Sequence, residues 1–172
     1  DSENMILGSA SCGLEIIENF PEIEVAIVPI GGGGLISGIS AALKQIKPSI
    51  LIYGVEPEGA DTMYQSFKND YPVKLDKVKT IADSLGPPMA MEYSFRIAQE
   101  FVDAVVRVKD DELIGALKIM RDKLNLVVEP ACGASLAGLL GPLKEMVAGK
   151  AVSIIACGSN ISFERYKNLI HD

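Results

Sequence analysis

Val25-Ala-Ile-Val-Pro-Ile30, then Gly31-Gly32-Gly33-Gly34, then Leu35-Ile-Ser-Gly-Ile-Ser-Ala-Ala-Leu-Lys-Gln-Ile46: an apolar run, four glycines and a segment whose apolar residues recur at helical spacing. A strand, a glycine turn and a helix in that order leave unpaired backbone N–H groups at the positive end of a helix dipole. No β-carbon hinders a close approach, so the turn is suited to a phosphate. The competing reading is a tight turn that binds nothing. Against it stands the cost of successive glycines, about 0.5–1 kcal/mol each in a regular element.

The kind of phosphate can be narrowed. A dinucleotide fingerprint needs glycines at g, g+2 and g+5, and every start with the first two places Ile36 or Ser37 at the third position. Glu56 does stand after the next apolar run, where a ribose-binding acid would be expected, but the glycine pattern fails. A nucleoside-triphosphate loop read from Gly33 to Gly38 puts Ile39 where the phosphate-binding lysine belongs, and fails as well.

The chain has 172 residues, 48% of them hydrophobic, enough for one domain with a sizeable core. Its net charge of −7 and the lack of a basic run argue against nucleic acid and anionic membranes, and leave small molecules or proteins as partners. The uncharged run Val25 to Leu43 could in length cross a bilayer. Its glycines, Pro29 and two serines favour a buried strand and helix. No signal peptide opens the sequence. The cysteines, Cys12, Cys132 and Cys157, form no CxxC pair, and the one histidine is His171. A zinc site and a Ser-His-Asp triad are thereby excluded, and a reduced, cytoplasmic protein is expected.

Along the chain the pattern predicts a short amphipathic helix over Cys12–Phe20, a strand over Glu24–Ile30, a helix over Leu35–Ile46 and a strand over Ile50–Val55. A weak helix over Glu58–Phe67, a polar loop to Lys79 and the breaker-rich Thr80–Pro88 follow. Next come a helix over Met89–Phe101, a strand over Val102–Val108 and a helix from Asp110 to near Leu124, with acidic residues in its first turn. The last elements are a buried helix over Ala131–Val147, a strand over Ala151–Ala156 and a terminal helix ending near Ile170. The expected class is α/β, a parallel twisted sheet with helices on both faces. Ligands in such sheets bind beyond the carboxyl ends of the strands, where Gly31–Gly34, Glu56 and Cys157–Asn160 are expected to converge.

Three motifs in this order, Gly31–Gly34, Val128-Glu-Pro-Ala-Cys-Gly-Ala-Ser135 and Cys157-Gly-Ser-Asn160, with Gly13-Leu-Glu-Ile-Ile17 and Gly54-Val-Glu-Pro57 beside them, resemble the serine/threonine dehydratases. These are fold type II (tryptophan synthase β-like) pyridoxal-phosphate enzymes and include serine racemase. The resemblance implies that Gly31, Gly32, Gly33 and Gly34 hold the cofactor phosphate. It also implies that Cys157 faces the pyridine nitrogen and that Glu129, Gly158 and Asn160 lie near the cofactor. A thiol of ordinary pKa about 8.5 is mostly neutral at pH 7 and would not enforce a protonated ring. Cys157 can also be read as a small core residue, and Glu129-Pro130 as an ordinary exit turn.

The same resemblance implies a monovalent cation held by the Glu56 carboxylate and by the carbonyls of Ala60, Leu85 and Pro87. Thr62 departs from the aspartate of serine racemase and disfavours a divalent ion. The alternative for Glu56 is an acid at a strand end that faces water. Members of the family carry a Ser-x-Lys motif in their first half, whose lysine anchors the cofactor and moves the substrate α-proton. Ser66-Phe-Lys68 imitates it, but lies after the glycine turn and reads as a surface segment.

By this comparison residues 1–172 form one incomplete domain, the cofactor-binding second half of the enzyme, with the first half as its partner. The implied activity is dehydration of a small hydroxy amino acid, serine or threonine, to a 2-oxo acid and ammonia, by a homo-oligomer. This chain alone is expected to be inactive. The rivals are an amino-acid racemase of the same fold and a non-catalytic cofactor-binding module.

Overall fold

A computed structural model describes residues 2–171. Helix α1 (Glu3–Asn19) leads into strand β1 (Val25–Pro29), helix α2 (Gly34–Ile46) and strand β2 (Leu51–Pro57). A 3₁₀ turn (Glu58–Ala60), helix α3 (Thr62–Asn69), a second 3₁₀ turn (Asp83–Leu85) and helix α4 (Glu92–Phe101) precede strand β3 (Ala104–Val108). Helices α5 (Asp110–Leu124) and α6 (Pro130–Leu140), strand β4 (Val152–Ile154) and helix α7 (Phe163–Ile170) complete the order. The strands form one sheet, β3-β2-β1-β4, and every pairing is parallel.

All five residues of β1 are buried, as a strand covered on both faces requires. Val25 and Ile27 point to the face covered by α5, α6 and α7, where they meet Leu113, Leu117, Ala134 and Tyr166. Ala26 and Val28 point the other way, into Ile36, Ile39 and Leu43 of α2 and Phe95 of α4. The run Val25 to Leu43 is thus a buried strand, a turn and a helix, and among the described residues no helix is long and apolar enough to cross a membrane.

Helix α1 lies over α2 at close range. A β-carbon at Gly38 would stand 2.7 Å from the Ala10 nitrogen, and one at Gly13 would stand 2.9 Å from the Ala42 β-carbon. These contacts explain the largest difference from the sequence expectation. The helix begins at Glu3 rather than Cys12, because Ile6 is buried in this contact and Ser2 caps it, its Oγ accepting from the Met5 N–H at 3.3 Å.

Two further boundaries move. The buried helix α6 stops at Leu140, before Gly141-Pro142, and does not run to Val147, since proline cannot continue it. The last strand pairs only over Val152–Ile154, against Val25–Ile27.

Candidate cofactor site

Strand β1 ends at Pro29 and the chain turns through the four glycines into α2. Gly33 is the N-cap and takes φ +93°, a left-handed conformation that favours glycine. Its missing side chain also lets the turn pack, since a β-carbon there would stand 2.7 Å from Met63 Cε and 2.9 Å from Ser94 Cβ. At Gly31 a β-carbon would press on the Ser84 carbonyl at 2.7 Å. Gly32 differs: a β-carbon there meets nothing within 4 Å, and the residue lines a cleft.

That cleft encloses about 240 Å³, between the glycine turn and first residues of α2 on one side and Ser84, Glu129, Ala131 and Cys157 on the other. Inside α2 the first backbone bond is Ser37 N–H to the Gly33 carbonyl at 3.0 Å. The N–H groups of Gly34, Leu35 and Ile36 therefore open the helix without a protein acceptor among the described residues. Donors, dipole and absent side chains fit a phosphate dianion here.

The facing wall is built by α6 and the segment after β4. Glu129 precedes α6, and its Oε2 accepts from the Ser84 hydroxyl at 3.0 Å. Cys157 is exposed on the cleft, so it is not a core residue; the buried thiol is Cys132, in the first turn of α6. The Gly158 N–H donates to Cys132 Sγ at 2.9 Å, and the Cys132 thiol donates to the Gly158 carbonyl at 2.7 Å. Cys157 Sγ lies 3.8 Å from Cys132 Sγ. The hydrogen bond with Cys132, then burial and the nearby Glu129 charge push the Cys157 thiol up, so it keeps its proton at neutral pH. The sequence carried Cys132 only as a member of the Val128–Ser135 motif, without a role of its own, and did not single out Ser84. They meet Cys157 and Glu129 across separations of 25 and 45 positions, which no local spacing encodes.

Not every expected residue converges. Asn160 lines an adjoining cleft of about 170 Å³ with Asp83, Arg165 and Glu129, and does not reach the glycine turn. Glu56 is fully buried and does not face water. Its carboxyl group caps α3: Oε1 accepts from the Met63 N–H at 2.8 Å and Oε2 from the Tyr64 N–H at 2.7 Å. The Thr62 hydroxyl donates a longer bond of 3.4 Å to Oε1. Glu56 therefore does not line the cleft as its strand-end position led one to expect. Of the other expected cation ligands, Leu85 lines the cleft and Ala60 is buried, while Pro87 lies beside Gly31. Among the described residues no group of three or more His, Cys, Asp or Glu could hold a metal ion. Lys68 is exposed on α3, and its neighbour Ser66 is buried with its hydroxyl on the Thr62 carbonyl at 2.6 Å. None of the residues lining the cleft is a lysine.

The profile of the family described as pyridoxal-phosphate dependent enzyme matches residues 1–158. The chain belongs to this family. Its cofactor is pyridoxal 5'-phosphate, and its fold is that of the fold type II pyridoxal-phosphate enzymes. The chain is 45% identical over 155 residues to a phenylserine dehydratase of Ralstonia pickettii, which covers 90% of this chain and 48% of the relative. Among solved structures, the processed form of threonine deaminase isoform 2 from Solanum lycopersicum superposes with a TM-score of 0.91 at 33% identity, over 95% of this chain and 48% of that one. Maize serine racemase superposes with a TM-score of 0.90 at 34% identity, over 98% of this chain and 54% of that one. The chain thus spans about half the length of the pyridoxal-phosphate enzymes it matches, and these include both dehydratases and racemases.

Proposed function

We propose that this chain is the cofactor-binding part of a pyridoxal-phosphate lyase that dehydrates a small β-hydroxy amino acid, serine or threonine, to a 2-oxo acid and ammonia. One observation carries the reading: the uncovered N-terminus of α2 opens into a cleft whose far wall presents Glu129 and a protonated Cys157. The N–H groups from Gly31 to Ile36 would bind the phosphate, and the open space at Gly32 would let it approach. Cys157 would meet the ring nitrogen with a neutral thiol, leaving the ring without an enforced positive charge. Glu129, oriented by Ser84, and the Gly158 peptide would line the ring's surroundings, with Asn160 at the adjoining cleft. A monovalent cation would sit with the carbonyls of Ala60, Leu85 and Pro87, with Glu56 organising α3 beside it. When bound, pyridoxal phosphate supplies an electron sink that lets the substrate α-carbon release its proton and the β-hydroxyl leave.

The cleft carries no lysine, so the cofactor-anchoring amine and α-proton base belong to the other half of the enzyme, which these residues hold in register with the cofactor. The likeness to maize serine racemase, as close as that to the threonine deaminase, favours a second reading as a racemase. The test uses the full-length protein with pyridoxal phosphate and L-serine, L-threonine or phenylserine in turn. Release of 2-oxo acid and ammonia faster than inversion at the α-carbon is expected. Inversion without ammonia release would establish the racemase, and no turnover with cofactor bound would favour a non-catalytic module.

A further inference from the structure

We propose that Cys132, which does not itself line the cleft, is a positioning residue: it fixes Cys157 at the cofactor ring by gripping the Gly158 peptide. The inference rests on the reading that Cys157 meets the ring nitrogen. Cys157 stands in a segment, residues 155–162, with no regular secondary structure. The sheet's last hold on this segment is the Ile155 N–H, donated to the Ile27 carbonyl at 3.1 Å. Beyond it the hold passes to α6. Cys132 and Ser135 are three positions apart on that helix, hence on one face, and both are fully buried. The Ser135 hydroxyl donates to the Ile155 carbonyl at 2.9 Å. The Cys132 sulfur accepts from the Gly158 N–H at 2.9 Å, and its thiol donates to the Gly158 carbonyl at 2.7 Å.

The polar groups of the residue that follows Cys157 thus both end on one buried side chain. The Gly158 N–H has no other protein acceptor among the described residues, while the Gly158 carbonyl also accepts a longer bond of 3.3 Å from the Glu129 N–H. The grip therefore sets Cys157 relative to Glu129 on the same wall. With the Cys132 proton engaged on that carbonyl, only Cys157 can donate across the 3.8 Å between the sulfurs. A thiol is a weak donor and the contact is long, so the Cys157 hydrogen is free to turn to the ring nitrogen. Truncating Cys132 would leave the Gly158 N–H without an acceptor in an irregular segment, and Cys157 would lose its fixed place while the sheet and α6 keep theirs. The ring nitrogen lies across the pyridine ring from the carbon that joins the substrate. Loosening Cys157 should therefore act on cofactor binding and kcat and leave KM alone.

The test compares the full-length holoprotein with Cys132→Ala, Cys132→Ser, Cys157→Ala and the double variant Cys132→Ala/Cys157→Ala. The measurements are the Kd for pyridoxal phosphate, the visible circular dichroism of the bound cofactor, turnover of L-serine or L-threonine, and the melting temperature of each apoprotein. In Cys132→Ala the Kd is expected to weaken and kcat to fall, each by about two- to tenfold, with an altered dichroism and an unchanged KM. Cys132→Ser keeps a donor and an acceptor and should stay near wild type. In the Cys157→Ala background, Cys132→Ala should add nothing to the change in Kd or dichroism. The proposal is overturned if Cys132→Ala moves only the melting temperature, or if its effect on Kd and dichroism is as large without Cys157 as with it. Should Cys132→Ala not fold, Cys132→Val, which fills the space of the thiol without its hydrogen bonds, takes its place in the same comparison. If Cys157→Ala alters Kd and dichroism while the change at position 132 does not, this proposal alone falls. If Cys157→Ala alters neither, the placement of Cys157 at the ring falls and takes the proposal with it.

Discussion

Glu56 shows how burial and hydrogen bonding compete on one side chain. Burial pushes its carboxyl from an ordinary value of 4.5 up to about 8, against the downward pull of the Met63 and Tyr64 N–H bonds. Between those values the folded protein keeps a proton that the unfolded chain has released. The sign follows: this group's contribution is fully present below about pH 4.5 and is lost as pH rises through about 8. Denaturant midpoints of the full-length protein should therefore fall from acidic to mildly alkaline pH, and in Glu56→Gln the fall should be shallower. Equal slopes in the two proteins would contradict the assignment. Glu56→Ala should cost about 2–4 kcal/mol at neutral pH, since it leaves two helix N–H groups buried without an acceptor. The strand-end position of Glu56 could be read in the sequence, but its direction could not. Which face a strand-end side chain turns to depends on α3, a helix whose polar sequence gave only a weak signal. Cys157 was legible for the opposite reason: it ends an apolar run at the carboxyl edge of a parallel sheet, where side chains are released to a cleft.

The elements around α2 divide into those fixed by local pattern and those fixed by contact. Strand β1, the glycine turn, α2 and α5 follow the apolar period and charge pattern of their own residues, and their expected bounds hold to within a residue or two. The first two turns of α1 were missed because Glu3–Ser11 has little periodic signal of its own and is fixed by packing on α2. The end of α6 was misread because apolar residues at helical spacing, Leu143, Met146 and Val147, continue past Gly141, although Pro142 marks the stop. Contact at Gly38 carries a prediction. Gly38→Val would drive its side chain into the backbone of α1 at Ala10 and should destabilise by about 1–3 kcal/mol, read as a lower urea midpoint. Gly115→Ala, on α5 where a β-carbon meets nothing within 4 Å, should instead stabilise by about 0.5–1 kcal/mol. If both variants shift the midpoint alike, close approach of α1 and α2 is not what requires glycine at position 38.

Taken whole, the molecule presents a cradle without an amine. The sheet sets the glycine turn, Glu129 and Cys157 around one cleft, yet Lys68, the only lysine in an imitation of the anchoring motif, is exposed on α3. The 172-residue chain, given pyridoxal phosphate and L-serine or L-threonine, is expected to release no 2-oxo acid. Borohydride reduction followed by peptide mapping should find no label on Lys68; turnover with that lysine labelled would reassign the base. The parallel sheet and the phosphate-suited turn were readable from sequence because both rest on short, contiguous patterns. Of the far wall, only the strand-end place of Cys157 was readable from its own stretch of sequence; Glu129 came through likeness to a known family, since its hydrogen bond joins residues distant in the chain. The claim on which the functional account depends is that the N–H groups from Gly31 to Ile36 hold the cofactor phosphate. Gly33→Val is a poor probe of it, because its side chain would strike Met63 and Ser94 within the fold. Gly32→Val meets only the open cleft, so the direct measurement is a pyridoxal-phosphate titration of full-length wild type and Gly32→Val, with melting temperatures taken on both. Loss of one charge-assisted hydrogen bond, about 1.5–3 kcal/mol, predicts a Kd weakened by about ten- to a hundredfold at an unchanged melting temperature of the apoprotein. An unchanged Kd in the stably folded variant would contradict the account.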